Sequence, residues 1–127
     1  MQYVWPESNT PIIDIPALEV EQSGSVFLQG ASGSGKSTLL SLLAGTLKAS
    51  SGTLQILGTD LTSLSSRRRD RFRAEHIGIV FQQFNLIPFL TVEGNLKLAS
   101  RFVNQSVSGT EVRAKKLLES LRLDSAI

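Results

Sequence analysis

The 127-residue sequence contains no cysteine, one histidine, one tryptophan and one tyrosine. Without cysteine it can form no disulfide, hold no zinc through thiolates and use no cysteine nucleophile. It also lacks any apolar stretch near the roughly 18 residues of a membrane-spanning helix, and its first residues lack the basic start and apolar run of a secretory signal. We therefore expect no direct membrane insertion, and any membrane association to be peripheral, through a partner.

The composition is otherwise that of an ordinary globular protein. Hydrophobic residues make up 41% of the chain and charged residues 19%, a balance typical of a packed core rather than of disorder. The net charge of +2 is too small to indicate nucleic-acid binding. At this length the chain is one domain or a piece of one.

One stretch carries a phosphate-binding pattern. Gly30–Thr38 reads Gly-Ala-Ser-Gly-Ser-Gly-Lys-Ser-Thr and fits G-x-x-x-x-G-K-[ST]. Its flanks fit as well, because residues 26–28 predict a buried strand and residues 36–47 an apolar helix. A glycine-rich turn that binds nothing needs neither flank. The pattern therefore predicts a nucleoside triphosphate site.

Each residue type in this loop has a physical role. Glycines let the backbone curl so that several N–H groups converge on a polyphosphate, and the following helix adds the positive end of its dipole. The Lys36 ammonium reaches the terminal phosphates, and the Ser37 hydroxyl is a natural Mg²⁺ ligand. The predicted phosphate-binding residues are Gly30, Ser32, Gly33, Ser34, Gly35, Lys36, Ser37 and Thr38.

Short strands are predicted on both sides of the loop. The first 22 residues contain three prolines, which confine their apolar runs to edge strands and turns of an antiparallel meander. Residues 53–57 predict a further strand, closed by Gly58. The meander contains Trp5 and Tyr3, and either could be a flat platform for an adenine ring or an ordinary half-buried edge aromatic.

An arginine-rich segment follows. Five arginines occur in the seven residues Arg67–Arg73, within a helix that Ser65 or Ser66 can cap. This helix could contact nucleic acid or form a solvated face, and the acidic residues among the arginines favour the solvated face. His76 is interpreted as a structural residue.

A second apolar run, residues 77–81, also predicts a buried strand. Gln82 follows it at the edge where α/β sheets bind ligands, so it is either a water or metal contact or a solvated loop residue. Residues 84–90 form an unusually apolar loop that packs beneath a subdomain or docks a partner. Two helices are then predicted, from Thr91 to about Phe102 and from about Thr110 onward, separated by a polar linker. The second carries one apolar face: Ala114, Leu117, Leu118 and Leu121.

Taken together, these residues resemble the nucleotide-binding domain of ABC transporters. Trp5-Pro6 resembles its adenine-stacking aromatic, Gly30–Thr38 its phosphate loop, and Ile77–Pro88 its glutamine-loop region. The resemblance implies an α/β P-loop NTPase fold of the ABC ATPase type with a small antiparallel β subdomain, here incomplete. The match is to the N-terminal half of such a domain, and is closest to the subgroup for lipoprotein release and macrolide export.

The resemblance also implies a division of the chain and a set of partners. The antiparallel part would cover about 1–25 and 53–58, the phosphate loop and helix 26–47, the glutamine loop 80–92, and the start of a helical subdomain 91–127. ATP and Mg²⁺ would bind with Trp5 at the adenine and with Ser37 and Gln82 at the metal. A membrane permease subunit would contact Gln82–Thr91, which places the protein on the cytoplasmic, inner face of the cell membrane.

The departures from the family pattern concern the chemistry. Gly94 stands where the family usually has glutamate, and the chain has no Leu-Ser-Gly-Gly-Gln signature, no apolar run ending in Asp-Glu and no later switch histidine. We therefore place no catalytic residue in this chain and expect negligible hydrolysis by it alone. An unpaired apolar strand edge predicts self-association or dimerisation. The alternatives are a small P-loop kinase, with Arg67–Arg73 as its lid, and a non-catalytic nucleotide-binding module.

Overall fold

The computed structural model describes residues 1–101 and 107–123, which form two compact units, one of residues 1–73 and one beginning at Ala74. The first unit contains β1 (Gln2–Tyr3), β2 (Ile13–Asp14), α1 (Lys36–Leu43), β3 (Gln55–Ile56) and β4 (Thr59–Asp60). α2 (Ser66–His76) begins in the first unit and ends in the second. The second unit also contains α3 (Val92–Arg101) and α4 (Val107–Ser120).

The strands form two antiparallel pairs. The proline-rich start predicts the first pair, and residues 53–57 predict one strand of the second. β1 pairs with β2, with Tyr3 opposite Ile13. β3 pairs with β4 through a two-residue turn in which both Leu57 and Gly58 have positive φ, 50° and 75°. That backbone is typical of a tight hairpin, since its twist matches that of the flanking strands. The predicted strand at 53–57 is shorter here because Leu57 belongs to the turn.

The core of the first unit joins the first strand pair to α1. Tyr3, Ile13, Leu39 and Leu42 are buried together, and the partly buried side chains of Ile12, Ile15, Leu43 and Leu47 are among those that pack around them. Leu39 and Leu42 are three positions apart, so both lie on the same face of α1. Burial of that face fixes the helix against β2. The N-terminus of α1, where the phosphate loop ends, is thereby placed beside the strand pair.

The two predicted apolar strands at 26–28 and 77–81 are wrong for this structure. Neither forms a strand, and Phe27 and Val80 are 88% and 100% exposed. Across residues 1–101 and 107–123, the only sheets are the two antiparallel pairs. A buried parallel strand is stabilised by neighbouring strands and by covered faces, and composition alone supplies neither.

The helices differ from prediction mainly at their ends. α1 stops at Leu43 rather than residue 47, because Gly45 takes a left-handed φ of 71° and its N–H donates to the Leu42 carbonyl. α4 begins at Val107 rather than near Thr110. On its predicted apolar face only Leu118 is buried, while Leu117 and Leu121 are exposed. The predicted helix end at Phe102 lies outside the described residues. In the described ranges, no helix is both long and apolar enough to cross a membrane.

Candidate nucleotide-binding site

The phosphate loop enters α1 through a glycine that the fold requires. Gly35 is the N-cap of α1 with φ 87°, and its carbonyl accepts the Leu39 N–H at 2.8 Å. A Cβ at this position would lie 2.9 Å from Ile13 Cδ1 and 3.0 Å from the Ile12 carbonyl oxygen. The loop therefore runs directly against β2, and only glycine offers both the φ angle and the space.

The middle of the loop is open toward solvent. Gly33 has φ 79°, and a Cβ there would meet no atom within 4 Å. On the inner side, a Cβ on Gly30 would lie only 2.7 Å from Ser34 Oγ, and the Ser34 N–H donates to the Ala31 carbonyl at 3.3 Å. The backbone curls tightly around these two contacts, with its outer surface free to receive a ligand.

The Lys36 side chain folds back over the loop. Its Nζ donates to the carbonyl oxygens of Gly30 at 2.7 Å and Ala31 at 2.6 Å, and lies 3.5 Å from Ser34 Oγ. These contacts hold the ammonium at the loop, in place of a freely mobile charge. Sequence reasoning predicted the cation but missed the carbonyl pair that positions it.

A cleft of about 360 Å³ brings the loop together with the only tryptophan. It is lined by Trp5, Ile12, Ser32, Gly33, Gly35, Lys36, Ser37 and Thr38. Trp5 is 44% exposed and packs edge-on against the buried ring of Tyr3, with centroids 5.0 Å apart and planes at 84°. Tyr3 thus packs Trp5 against the core, while the partly exposed indole lines the cleft.

The donor chemistry of this cleft fits a polyphosphate. It combines backbone N–H groups at the start of α1, one ammonium, and the hydroxyls of Ser37 and Thr38, with no carboxylate in its lining. The described residues also contain no cluster of three or more His, Cys, Asp or Glu that could form a metal cage. Such a site suits Mg²⁺ held mainly by phosphate oxygens and one hydroxyl.

The predicted metal contact Gln82 lies in the second unit. It is exposed and follows the irregular segment 77–81. The residues that line the cleft, Ser37 among them, belong to the first unit. A role for Gln82 at the metal stays a prediction.

The apolar loop of the second unit is organised by a residue that sequence reasoning missed. Asn95 Oδ1 accepts the Ile87 N–H at 2.8 Å, and Asn95 Nδ2 lies within hydrogen-bonding distance of three carbonyl oxygens. Those carbonyls belong to Ile87 at 3.2 Å, Leu90 at 3.3 Å and Thr91 at 3.0 Å. A single amide thus satisfies both sides of a tight turn from Ile87 to Leu90, which is closed by the Leu90 N–H on the Ile87 carbonyl at 3.0 Å.

The loop that contains this turn, residues 84–90, displays apolar side chains to solvent. Phe84 is 91% exposed, Leu86 66% and Phe89 85%. Pro88 sits at the second position of the turn, where its fixed φ is favourable. The loop therefore keeps a defined shape while exposing three large apolar groups.

Comparison with known proteins decides the family. The family model described as "ABC transporter" matches residues 14–126, nearly the whole chain. The chain belongs to the ABC transporter family. An uncharacterised ABC transporter ATP-binding protein of Mycobacterium tuberculosis is 42% identical over 115 residues, which cover 91% of this chain and 46% of that protein. YbbA, an uncharacterised ABC transporter ATP-binding protein of Escherichia coli, is 42% identical over 84% of this chain and 46% of its own.

Solved ABC cassettes confirm the fold. The dimeric ATP-binding cassette MJ0796, in a post-hydrolysis state bound to ADP and Pi, is 31% identical with a TM-score of 0.78 over 93% of this chain and 52% of that one. A second MJ0796 structure, also dimeric, has a TM-score of 0.79 at 33% identity. The present chain is thus an α/β P-loop NTPase of the ABC ATPase type. It spans about half the length of the two ATP-binding proteins compared above.

Proposed function

We propose that this ABC-family chain binds ATP with Mg²⁺ as part of the ATPase subunit of an ABC exporter. The observation that carries the proposal is the cleft itself, which joins an ammonium, a helix N-terminus and an indole ring within one unit. Triphosphate, cation and base are the three features of a nucleotide that these groups would recognise. The ADP-bound cassette among its structural neighbours supports the assignment.

The proposed roles follow from the geometry of each group. The backbone N–H groups of Gly33–Thr38 would bind phosphate oxygens, and Lys36 would bind the β- and γ-phosphates from its position over the loop. Trp5 would stack on the adenine. Ser37, with Gln82, would hold Mg²⁺, which neutralises charge on the phosphates. The chain has no apolar run ending in Asp-Glu after the phosphate loop, so we propose binding without hydrolysis by this chain alone.

The proposed partner is a membrane permease subunit that contacts the loop Gln82–Thr91. The exposure of Phe84, Leu86 and Phe89 supports this, since three large apolar groups on one loop are unusual on a free surface. A macrolide export ATP-binding/permease protein, MacB of Shigella flexneri, is 37% identical over 85% of this chain and 17% of its own. We propose a cytoplasmic protein, peripheral on the inner face of the membrane, that dimerises as its structural neighbours do.

A nucleotide titration tests the core of this proposal. The chain is titrated with a fluorescent ATP analogue and Mg²⁺, alongside Lys36→Ala and the matched control Lys48→Ala, which removes an exposed lysine outside the cleft. Loss of a charged hydrogen-bonding group costs about 1.5–3 kcal/mol, so Lys36→Ala should weaken binding by about 10- to 150-fold while Lys48→Ala leaves it unchanged. Phosphate release is followed in the same samples and should stay at background.

Two results would contradict the proposal. If Lys36→Ala binds the analogue as tightly as the unmodified chain, the phosphate site is misassigned. If the unmodified chain does not bind at all, nucleotide binding is not a property of this chain. Lys36-dependent phosphate release would instead keep the binding site and overturn the expectation of no hydrolysis.

A further inference from the structure

The arginines of α2 are not equivalent. Sequence reasoning assigned Arg67–Arg73 to a solvated face, and Arg67 and Arg68 are indeed exposed. Arg69 is different, because its Nε donates to the carbonyl oxygen of Gly45 at 3.0 Å and its side chain is only partly exposed. One arginine of the cluster therefore contacts the end of α1.

The acceptor of this bond is the residue that terminates α1. Gly45 is buried and has φ 71°, and its N–H donates to the Leu42 carbonyl at 2.9 Å. A Cβ on Gly45 would lie 3.3 Å from Arg69 Cγ and 3.7 Å from Leu61 Cδ1. The aliphatic stem of Arg69 thus lies directly over the glycine, and its head group reaches the carbonyl beside it.

This contact is one of two that hold the ends of a short helix. α1 has only eight residues, about 12 Å of axis. Its N-terminus is held where Gly35 fits against Ile12 and Ile13, and its C-terminus where Arg69 binds Gly45. The Arg69 cation also sits at the negative end of the helix dipole, which is a favourable position for it.

We propose that Arg69 is a positioning residue for the phosphate loop: its bond to Gly45 fixes the axis of α1, and thereby the direction of the N–H groups at the other end. The inference rests on the proposed nucleotide binding and assigns a role in it to the arginine helix. Preorganised donors bind a ligand more tightly than donors that must be ordered on binding. If the C-terminal end of α1 is not held, phosphate binding at its N-terminal end should therefore weaken.

Three variants of the full chain test this. Arg69→Ala removes the bond, and Arg69→Lys keeps the charge but replaces the guanidinium by a differently shaped donor. Arg67→Ala is the control, since it removes the same charge from a position about 160° away around α2. With a fluorescent ATP analogue and Mg²⁺, we expect Arg69→Ala to raise the Kd by about three- to tenfold. Arg69→Lys should restore part of the affinity, and Arg67→Ala should stay within about twofold of the unmodified chain.

The expected loss of nucleotide affinity in Arg69→Ala must be distinguished from unfolding of the variant. The fraction folded is measured by circular dichroism at the titration temperature, because a variant that is at least about 95% folded can change its apparent Kd by only about 5% through unfolding. In parallel, amide chemical shifts of Gly33, Gly35, Lys36 and Ser37 are recorded without nucleotide. Arg69→Ala should move them, and Arg67→Ala should not.

The outcomes distinguish the two proposals. If the unmodified chain binds ATP but Arg69→Ala binds equally well, or if Arg67→Ala is equally impaired, Arg69 has no positioning role. If the unmodified chain does not bind ATP, the proposed function fails. The amide chemical shifts of the phosphate loop then test the positioning role of Arg69 by themselves, and unchanged shifts in Arg69→Ala overturn that role.

Discussion

The two units of this chain differ in the contacts that stabilise each of them internally. In the first, a small apolar core of Tyr3, Ile13, Leu39 and Leu42 packs α1 against the strand pair. In the second unit, Leu118 is the only buried hydrophobic residue among those that the structure describes. Polar side chains supply its well-defined contacts. Asn95 binds the apolar loop, and Lys97 joins Glu93 to Glu111 between α3 and α4.

The difference matches the surface feature of each unit, which is the phosphate loop in the first and the apolar loop in the second. Close packing favours a single arrangement of the backbone, which a site that converges several N–H groups needs. A loop that exposes apolar side chains cannot be held by burying them, so its shape comes from hydrogen bonds between the Asn95 amide and the backbone. The first unit therefore buries apolar residues of α1 and of its first strand pair in a core, whereas the second unit exposes those of the loop 84–90.

The largest effect should come from the core of the first unit. Leu42 has 0% exposure, so Leu42→Ala should lower the free energy of unfolding by about 2–5 kcal/mol through lost burial and a cavity. Leu40 lies on the same helix but is 59% exposed, and Leu40→Ala should cost less than about 0.5 kcal/mol. Denaturant unfolding followed by circular dichroism measures both. Equal losses would mean that α1 is not anchored by the described core.

A pair of glycine variants should have the next largest effect. Gly33 and Gly35 both have positive φ, 79° and 87°, so alanine strains the backbone at each position. Only at Gly35 would the new Cβ also meet Ile13 and Ile12, which should add about 1–3 kcal/mol of destabilisation over Gly33→Ala. Thermal unfolding of the two variants compares them directly. A loss of thermal stability in Gly33→Ala as large as that in Gly35→Ala would argue against the close approach of the phosphate loop to β2.

In the second unit, Asn95→Ala should release the turn before α3. The Ile87 N–H donates to Asn95 Oδ1, so its hydrogen exchange should accelerate by about tenfold, which corresponds to roughly 1.4 kcal/mol. Asn95→Asp keeps an acceptor for that N–H but turns a carboxylate oxygen toward the carbonyls that Nδ2 contacts, so it should retain only part of the protection. Residue-resolved exchange measured by NMR reads both variants. If Ile87 exchanges at the same rate in all three chains, Asn95 does not hold the turn.

The smallest effect should come from Lys97. Hydrogen bonds to Glu93, and then to Glu111, raise the pKa of the Lys97 ammonium. A raised pKa stabilises the fold below the ordinary lysine value of about 10.4, and that contribution is lost as the pH rises through the folded-state pKa.

Since Lys97 is solvent-exposed, the shift in melting temperature should be small and screened by salt. The helical signal of Lys97→Gln should melt slightly earlier than that of the unmodified chain at neutral pH and low salt. This difference should vanish in high salt or above the folded-state pKa. Lys116→Gln, which removes an exposed lysine from α4, is the control. A Lys97 effect that is independent of salt would contradict an ionic origin.

Sequence reasoning was most successful where the structure is local. The phosphate loop and the start of α1 follow from residues 30–38, because spacing, glycine positions and helix polarity are all contained in that stretch. The strand predicted at 53–57 is local in the same sense, but its pairing with Thr59–Asp60 was not predicted. The strands at 26–28 and 77–81 were wrong because strand formation depends on pairing with distant segments, which a β-favouring composition does not specify.

The missed residues show a second limit. The spacing of the arginines in α2 indicates which of them share a face, but not that Gly45 lies beneath Arg69. Asn95 carried a weak signal, since asparagine is unfavourable inside a helix unless its side chain binds nearby backbone groups. Placement of Trp5 beside the phosphate loop required the family resemblance, because nothing in residues 1–22 alone relates it to the cleft. Its contact with adenine stays a prediction.

The Trp5–Tyr3 pair has an optical consequence. They are the only tryptophan and the only tyrosine of the chain, and their rings lie 5.0 Å apart. Light absorbed by the tyrosine should therefore be emitted almost entirely by the indole, so the intrinsic ultraviolet fluorescence of this protein reports on a single position at the mouth of the cleft. A base that stacked on that ring would quench this emission, and the unlabelled chain would carry its own indicator of occupancy.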